Sequence, residues 1–378
     1  MLDSGNNRLL HDIRPMVWAF MPYSLEDGHL TAETYDNHQT KTELAAAFEE
    51  LGLAWVWQPV LLGHIEGLVE QVRDSLKHRP TVVFNFCDGV DHWGTPGISV
   101  VQALERNSIP FTGAASRFYE ISTVKVHMKD LFVRAGVDTA PYSMIPNSGA
   151  VKGVCEKLGS PLLVKPNVSA GSEGISLKSK VSTNAEVEAR RDELLRGHDG
   201  PLYSKEGIFV ERFLDGEEYT VFVGGHWDRP QSVWNLPPAR RAFADSIPEG
   251  ERFLTFDRYW GYYKEETPPA GGEPFYRYET VPAHEEAQLA DFARRAYCAV
   301  EGSGYGRVDI RRDRASGRLC CLEVNANCGL SGNDQTSTGS MLQLCGIKFP
   351  QLLAKILNHM LERHLELSRT ASDDRYDA

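Results

Sequence analysis

The sequence has no paired-cysteine motif. Its seven cysteines (Cys87, Cys155, Cys298, Cys320, Cys321, Cys328 and Cys345) are odd in number, scattered, and never spaced C-x-x-C. That argues against a disulfide framework and a thiolate zinc site, and points to reduced thiols in the cytoplasm. Positive charge is also scarce: 40 Lys and Arg stand against 52 Asp and Glu, a net charge of −12. A nucleic-acid partner is disfavoured, although a local basic pocket for one nucleotide is not. No uncharged apolar run reaches the ~20 residues that cross a bilayer, so no membrane partner is expected. The opening MLDSGNNRLLHDIRP lacks the apolar stretch of a secretory leader, so none is expected. The twelve histidines show no ligand spacing, and no internal repeat or low-complexity tract occurs.

What is present is ordinary core-forming composition, 42% hydrophobic and 24% charged over 378 residues, enough for two or three domains. From Pro15 onward, strand-like and helix-like segments alternate: MVWAF, a helix from Glu33 to Leu51, LAWVW, a helix from Gly63 to Lys77, then TVVFNF. Such alternation predicts a parallel sheet covered by helices, with ligand-binding loops at the carboxyl ends of the strands, here CDGVDHWGTPG. Farther on, the spacing predicts a helix over Lys125–Ala135, a buried strand in PLLVKPNV, and an exposed helix over Ala185–Leu195. IFVERFLDGEEYTVFVGG reads as a strand pair with Asp215-Gly216 as its turn. The stretch Trp234–Tyr278 reads as a long functional or mobile loop. Helices over Ala283–Glu301 and Ser340–Leu361 and a frayed polar tail complete the reading.

The richest segment is Gly306–Gly329. With Ser316 at the centre of the Arg314–Gly317 turn, Asp309 falls opposite Glu323 and Arg307 opposite Asn325, and period-2 alternation puts all four on one face. Two opposed carboxylates repel unless a cation lies between them, and Asp, Glu and an Asn carbonyl are hard donors suited to Mg²⁺ shared with phosphates. A solvated face of an amphipathic hairpin shows the same pattern. Lys165 ends an apolar strand, an awkward place for an unpaired ammonium. After it, Ala170–Gly174 is small enough for backbone N–H groups to approach a phosphate, or is merely a turn. Glu211 and Phe213 share one strand face, an acceptor beside an apolar ring, which suits an adenine or a half-buried edge strand.

LLVKPNVSAGSEGIS, IFVERFLDGEEYTVFVGG and GRVDIRRDRASGRLCCLEVNANCG resemble the successive ATP-binding segments of the D-alanine–D-alanine ligase branch of the ATP-grasp superfamily. The resemblance runs from about Thr81 to Gly329. It implies a mixed α/β fold of three domains: an N-terminal parallel-sheet domain over 1–120, ATP-grasp domains over 121–206 and 207–362 with ATP between them, and a tail over 363–378. It further implies Lys125 and Lys165 on the ATP phosphates, Ser172 and Gly174 in the closing loop, Glu211, Phe213 and Leu214 at the adenine, and Glu218 at the ribose. Asp309, Glu323 and Asn325 are implied as ligands of two Mg²⁺ ions, for which Mn²⁺ can stand in, and Arg307 as the stabiliser of an acyl phosphate. The implied reaction is ADP-forming coupling of a carboxylate to an amine, two small-molecule substrates, with a homodimer left open. An ATP-grasp enzyme with another acceptor (a carboxylase or thiol ligase) and a nucleotide-binding regulator without chemistry remain as alternatives.

Three segments depart from that branch: MPYSLEDGHLTAE, FDRYWGYYKEE and LSGNDQTSTGS. At the first, the grip on a substrate amino group is not visible, and Glu26 or Glu33 are guesses for it. The expectation is therefore a substrate pair other than two D-alanines, with aromatic side chains of the second segment, Tyr259 and Tyr262 among them, against a larger partner. His92, Arg240 and Arg241 are further substrate candidates, and Cys328 is expected to be a packed small side chain rather than a nucleophile.

Overall fold

The computed structural model describes residues 8–26, 29–31 and 37–373. Three sheets of three or more strands organise the described residues, beside a two-stranded ribbon of Ser24–Glu26 and His29–Thr31. The first is parallel, with Met16–Pro22 between Trp55–Val60 and Thr81–Asn85. Alternation along Met16–Pro22 sends Val17, Ala19 and Met21 into a core with Leu44 and Phe48 of helix Asn37–Glu50. Phe20 goes the other way, to Val69 and Val72 of helix Ile65–His78 and to Val100 and Leu104 of helix Ile98–Arg106. Burial on both faces is why these strands read as continuous apolar runs.

The second sheet is antiparallel, in the order Tyr142–Ile145, Ile208–Arg212, Leu162–Pro166, Lys180–Val181. The third runs Tyr276–Thr280, Ala239–Phe243, Glu218–His226, Ser303–Arg312, Leu319–Ala326, with Trp234–Asn235 beside Glu218–His226. Helix Ala283–Ala299 covers one face of this third sheet, packing Leu289, Phe292 and Ala296 on Tyr219, Val221, Val308, Ile310 and Val324. Period-2 geometry then assigns Glu218, Thr220, Arg307, Asp309 and Arg311 to the opposite face.

Several expectations change. Ile208–Arg212 and Glu218–His226 are not a hairpin; they lie in different sheets. The glycine of Asp215-Gly216 serves a crossover instead: its N–H donates to the Arg312 carbonyl, and a Cβ there would sit 2.4 Å from that oxygen. Because Ile208–Arg212 pairs with strands before residue 207, we propose that the boundary between the two ATP-grasp units lies in the crossover 213–217. The stretch Trp234–Tyr278 is not one loop: it contributes strands Trp234–Asn235, Ala239–Phe243 and the start of Tyr276–Thr280, with short helices between them, including Phe256–Tyr259. The helix expected over Ser340–Leu361 is two helices, Ser337–Cys345 and Phe349–Asp373, broken where Gly346 takes φ 66°. The second continues through most of the tail expected to fray; residues 374–378 lie outside the described residues. Helix Asn184–Arg196 is not simply exposed, since it buries Val187, Arg190, Arg191 and Leu194.

The metal-type hairpin keeps its expected pairing, Asp309 with Glu323 and Arg307 with Asn325. A bulge between Asp309 and Ile310 shifts the rest, so that Ile310 pairs with Cys321 and Leu322 is the extra residue. The Ser316-centred register is thus correct only on the inner side of the bulge.

Candidate nucleotide and metal site

One cleft of ≈ 230 Å³ gathers Lys125, Lys165, Gly171, Ser172, Glu211, Phe213, Leu214, Glu218, Arg241, Asp309, Arg311, Glu323 and Asn325 on its lining. The third sheet lays its polar side chains out in cross-strand rows. Arg241, Glu218 and Arg311 form the first, Thr220, Asp309 and Glu323 the second, Arg307 and Asn325 the third. Charge alternates along the floor: cationic, anionic, cationic.

The middle row is the candidate cation site. The Thr220 hydroxyl donates to Asp309 (2.9 Å), and the Asn325 amide donates to Asp309 (3.1 Å) and Glu323 (3.3 Å). Arg307 grips Asp309 with two N–H groups, at 3.0 and 2.8 Å, and reaches the Ser337 hydroxyl at 3.3 Å. Burial alone raises the Asp309 carboxyl, but Arg307 and Arg241 hold it below its usual range, so it stays ionised. Among the described residues no three His, Cys, Asp or Glu side chains converge as a metal cage. The donor set is two carboxylates and one amide, whose oxygen and nitrogen are interchangeable by a flip. Positively polarised N–H groups now hold the two carboxylates together, and hard oxygen donors shared with phosphates fit Mg²⁺.

Above the floor, Glu211 is buried between two lysines, Lys129 and Lys165, each at 2.6 Å. Burial by itself raises its carboxyl, yet the two ammonium groups bring it down to about 2. Lys129 also donates to the Thr139 hydroxyl at 2.8 Å. Lys125, at the start of helix Lys125–Arg134, donates to the Ser169 carbonyl at 2.6 Å and so ties that helix to the glycine loop. Burial lowers its pKa, with Glu323 pulling the other way. In the loop Gly171 and Ser172 line the cleft, with φ of 54° and 64°. Gly174 does not; its carbonyl takes the Arg190 guanidinium at 2.9 Å, and a Cβ there would strike Pro166. Leu163, Ile175, Phe213, Leu214, Phe253 and Leu322 supply apolar lining. The Phe213 ring is already packed, edge-on to Phe253 at 5.5 Å with Lys180 and Arg311 against it.

Other candidates separate. Arg241 is in the cleft; Arg240, its neighbour on the strand, pairs with Glu279 and is not on the lining. His92 is exposed and off the lining, while the adjacent Trp93 is on it. Tyr259 is likewise off the lining and packs edge-on to Trp260. Tyr262 is 53% exposed and packs on Phe256 and Lys264, outside the cleft. Glu33 lies outside the described residues, as does the side chain of Glu26. Burial pushes the Cys328 thiol up to about 12, which leaves it protonated and no nucleophile. Sequence reasoning missed Lys129, Thr220 and Arg311. Two of them carried a signal: Lys129 is one helical turn from Lys125, and Arg311 continues the Arg307–Asp309 alternation.

Residues 131–358 match the family model described as the D-ala D-ala ligase C-terminus. The chain is 32% identical over 264 residues to the D-alanine–D-alanine ligase of Chromohalobacter salexigens, covering 69% of this chain and 72% of that one. It is 26% identical to D-alanine–D-alanine ligase B of Xanthomonas campestris, over 79% of this chain and 83% of that one. Among solved structures, D-alanine–D-alanine ligase from Bacillus anthracis complexed with ATP superposes with a TM-score of 0.63 at 18% identity, over 93% of this chain and 99% of that one. The Coxiella burnetii enzyme gives 0.63 at 15%, over 96% and 99%. At these identities the solved structures speak for the fold.

Proposed function

The chain belongs to the D-alanine–D-alanine ligase family of ATP-grasp enzymes, which form C–N bonds, and we propose that it joins D-alanine to D-alanine with ATP as the phosphoryl donor. The observation that carries this reading is that Asp309, Glu323 and Asn325 line the cleft that also holds Lys125 and Lys165, with Arg307 on the same hairpin face and hydrogen-bonded to Asp309. A carboxylate is a poor acyl donor because its leaving group is oxide. Its oxygen attacks the γ-phosphorus of ATP, the bond from that phosphorus to the bridging oxygen breaks, and ADP departs. The amine of the second substrate then attacks the carbonyl carbon of the acyl phosphate, and phosphate leaves with the C–O electron pair.

The chain's part is positioning and neutralisation. Lys125 and Lys165 take phosphate charge, and Glu211 holds Lys165 in place. Asp309, Glu323 and Asn325 would hold Mg²⁺, which when bound supplies positive charge to the transferring phosphate oxygens. Arg307 sits beside that position, where negative charge grows during acyl transfer. Closure of the glycine loop keeps water from the acyl phosphate.

The expectation of a different substrate pair is not carried forward. The relatives compared are D-alanine–D-alanine ligases. The rings of FDRYWGYYKEE, moreover, pack on one another: Tyr259 meets Trp260 at 5.2 Å, and Phe256 meets Tyr262 at 5.7 Å. They pack among themselves, and none of them is on the cleft lining. Incubation with Mg·ATP and D-alanine alone should release ADP and phosphate in step with D-alanyl-D-alanine. Release of AMP and pyrophosphate, or turnover only with other amino acids, would overturn the reading.

A further inference from the structure

The segment 331–336, which leads into helix Ser337–Cys345, folds as one hydrogen-bonded unit. The Ser331 hydroxyl oxygen accepts the Asn333 N–H at 3.0 Å. The Asn333 carbonyl takes the Thr336 hydroxyl at 2.8 Å, and the Thr336 hydroxyl oxygen caps the helix by accepting the Gly339 N–H at 3.0 Å. A Cβ on Gly339 would stand 1.9 Å from the Asn333 carbonyl oxygen, so the unit closes on the helix without slack. Gly332, Asp334 and Gln335 are exposed, and an open groove lined by Gln39, Glu43, Asn333, Asp334 and Gln343 runs behind them. Hydrogen bonds, more than packing, set where this unit stands.

Its two ends meet different parts of the molecule. Near the start, Glu43 of helix Asn37–Glu50 accepts the Ser331 hydroxyl at 2.7 Å and the Gly332 N–H at 3.0 Å on one carboxylate oxygen. The other oxygen takes the Gln39 amide at 2.9 Å. A carboxylate holding three donors is a charge-assisted anchor, about twice as strong per bond as a neutral contact. The helix that carries it is itself fixed, with Leu44, Ala47 and Phe48 in the core beside the parallel sheet. At the far end, the Ser337 hydroxyl oxygen accepts an Arg307 N–H at 3.3 Å, from Nη1, the nitrogen that does not bond Asp309. Asp309 sets the plane of the guanidinium, and Ser337 fixes the nitrogen that projects past it.

We infer that Glu43 is a positioning residue for acyl transfer: it holds segment 331–336, and through it Ser337, so that Arg307 presents Nη1 in one place. The inference rests on the reading of the chain as a ligase in which Arg307 acts during acyl transfer. Glu43 is not on the cleft lining. Its loss should therefore leave ATP binding in place and show in the step that Arg307 serves, where a small displacement of a preorganised donor is costly.

The test is steady-state kinetics of the full chain with Mg·ATP and D-alanine, with ADP and D-alanyl-D-alanine counted separately. Glu43→Ala should lower kcat about tenfold, the range of one charge-assisted hydrogen bond, and leave the KM for ATP within about twofold. It should also release more ADP than dipeptide, because the acyl phosphate waits longer for the amine. Glu43→Gln, which keeps a carbonyl acceptor for Ser331 and Gly332, should recover part of the rate. The loss should pass through Ser337: in a Ser337→Ala background, Glu43→Ala should cost less than about twofold further. Ser331→Ala removes the donor instead of the acceptor, and serves with the same expectations if Glu43→Ala does not melt cooperatively. An unchanged kcat, a rise in the KM for ATP with kcat unaltered, or an undiminished loss in the Ser337→Ala background overturns the inference. Failure of wild type to make the dipeptide overturns the ligase reading, and the inference with it.

Discussion

The Trp260 indole N–H donates to the Gly171 carbonyl at 3.0 Å, which latches the lid segment to the glycine loop. The ring also lies so close that a Cβ on Gly171 would stand 3.0 Å from it, at a φ of 54° that favours glycine. Gly171 also lines the cleft, so the contact holds this segment at the cleft's edge.

Trp260→Ala should therefore weaken closure. One neutral hydrogen bond is worth about 1 kcal/mol, or roughly a fivefold shift in a closing equilibrium. Protease should cut the segment around residues 260–272 about fivefold faster, and ATP hydrolysis without dipeptide should rise as water reaches the acyl phosphate. Unchanged cutting and unchanged coupling would show that the latch is incidental.

The middle row gives a second prediction. Asp309→Asn or Glu323→Gln removes a hard anionic donor, and either should abolish ADP formation at millimolar Mg²⁺ with the melting transition retained. Asp309→Asn should be the harsher for stability, because Arg307 then keeps its buried charge without its bidentate partner. Near-normal turnover in either variant would refute the metal assignment.

How much of this was legible in the sequence depended on the residue. The facing of Asp309 and Glu323 followed from alternation about a centre placed at Ser316; the pairs nearest the turn are centred between residues 315 and 316, and the extra residue Leu322, invisible in the sequence, makes up the difference at the two acids. The crossover at Asp215-Gly216 was not legible. A glycine after an acid marks a two-residue hairpin turn just as well, and only the close backbone of Arg312 decides between them. Lys129 was passed over because a lysine on a helix is ordinarily solvated, whereas here Glu211 draws it to 1% exposure. Arg240 and Arg241 were equivalent as a dipeptide; adjacent strand positions point to opposite faces, so one of them had to leave the cleft.

Arg307 should act on charge that appears only during acyl transfer. Arg307→Ala removes a preorganised donor, a loss typically of about 2.7–4 kcal/mol, or two to three decades in kcat. The KM for ATP should change little, since Lys125 and Lys165 carry the nucleotide phosphates. A large rise in KM with kcat unaltered would assign Arg307 to nucleotide binding instead.

The last prediction concerns acid stability and lies far from the cleft. His359, on helix Phe349–Asp373, is brought down from 6.5 to about 4, chiefly by burial and then by the positive neighbours His226 and Lys355, with Arg363 adding to them and Glu366 opposing. Its Nε2 has no partner among the described residues, and Glu362 is 3.9 Å from Nδ1. The sign follows directly. Above pH 6.5 the ring is neutral folded and unfolded alike, so it contributes no pH dependence. As pH falls below 6.5, the unfolded chain takes up a proton that the folded chain refuses until about pH 4. Folded stability therefore declines across that window, by up to about 3 kcal/mol at 1.36 kcal/mol per pKa unit. His359→Gln lacks the titration, so its melting temperature should fall less between pH 6.5 and pH 4 than that of wild type. The variant starts from its own value at neutral pH, where the amide fills the same space, and only the slope is compared. Parallel slopes for the two proteins would show that His359 does not refuse the proton and that other groups set the acid limit.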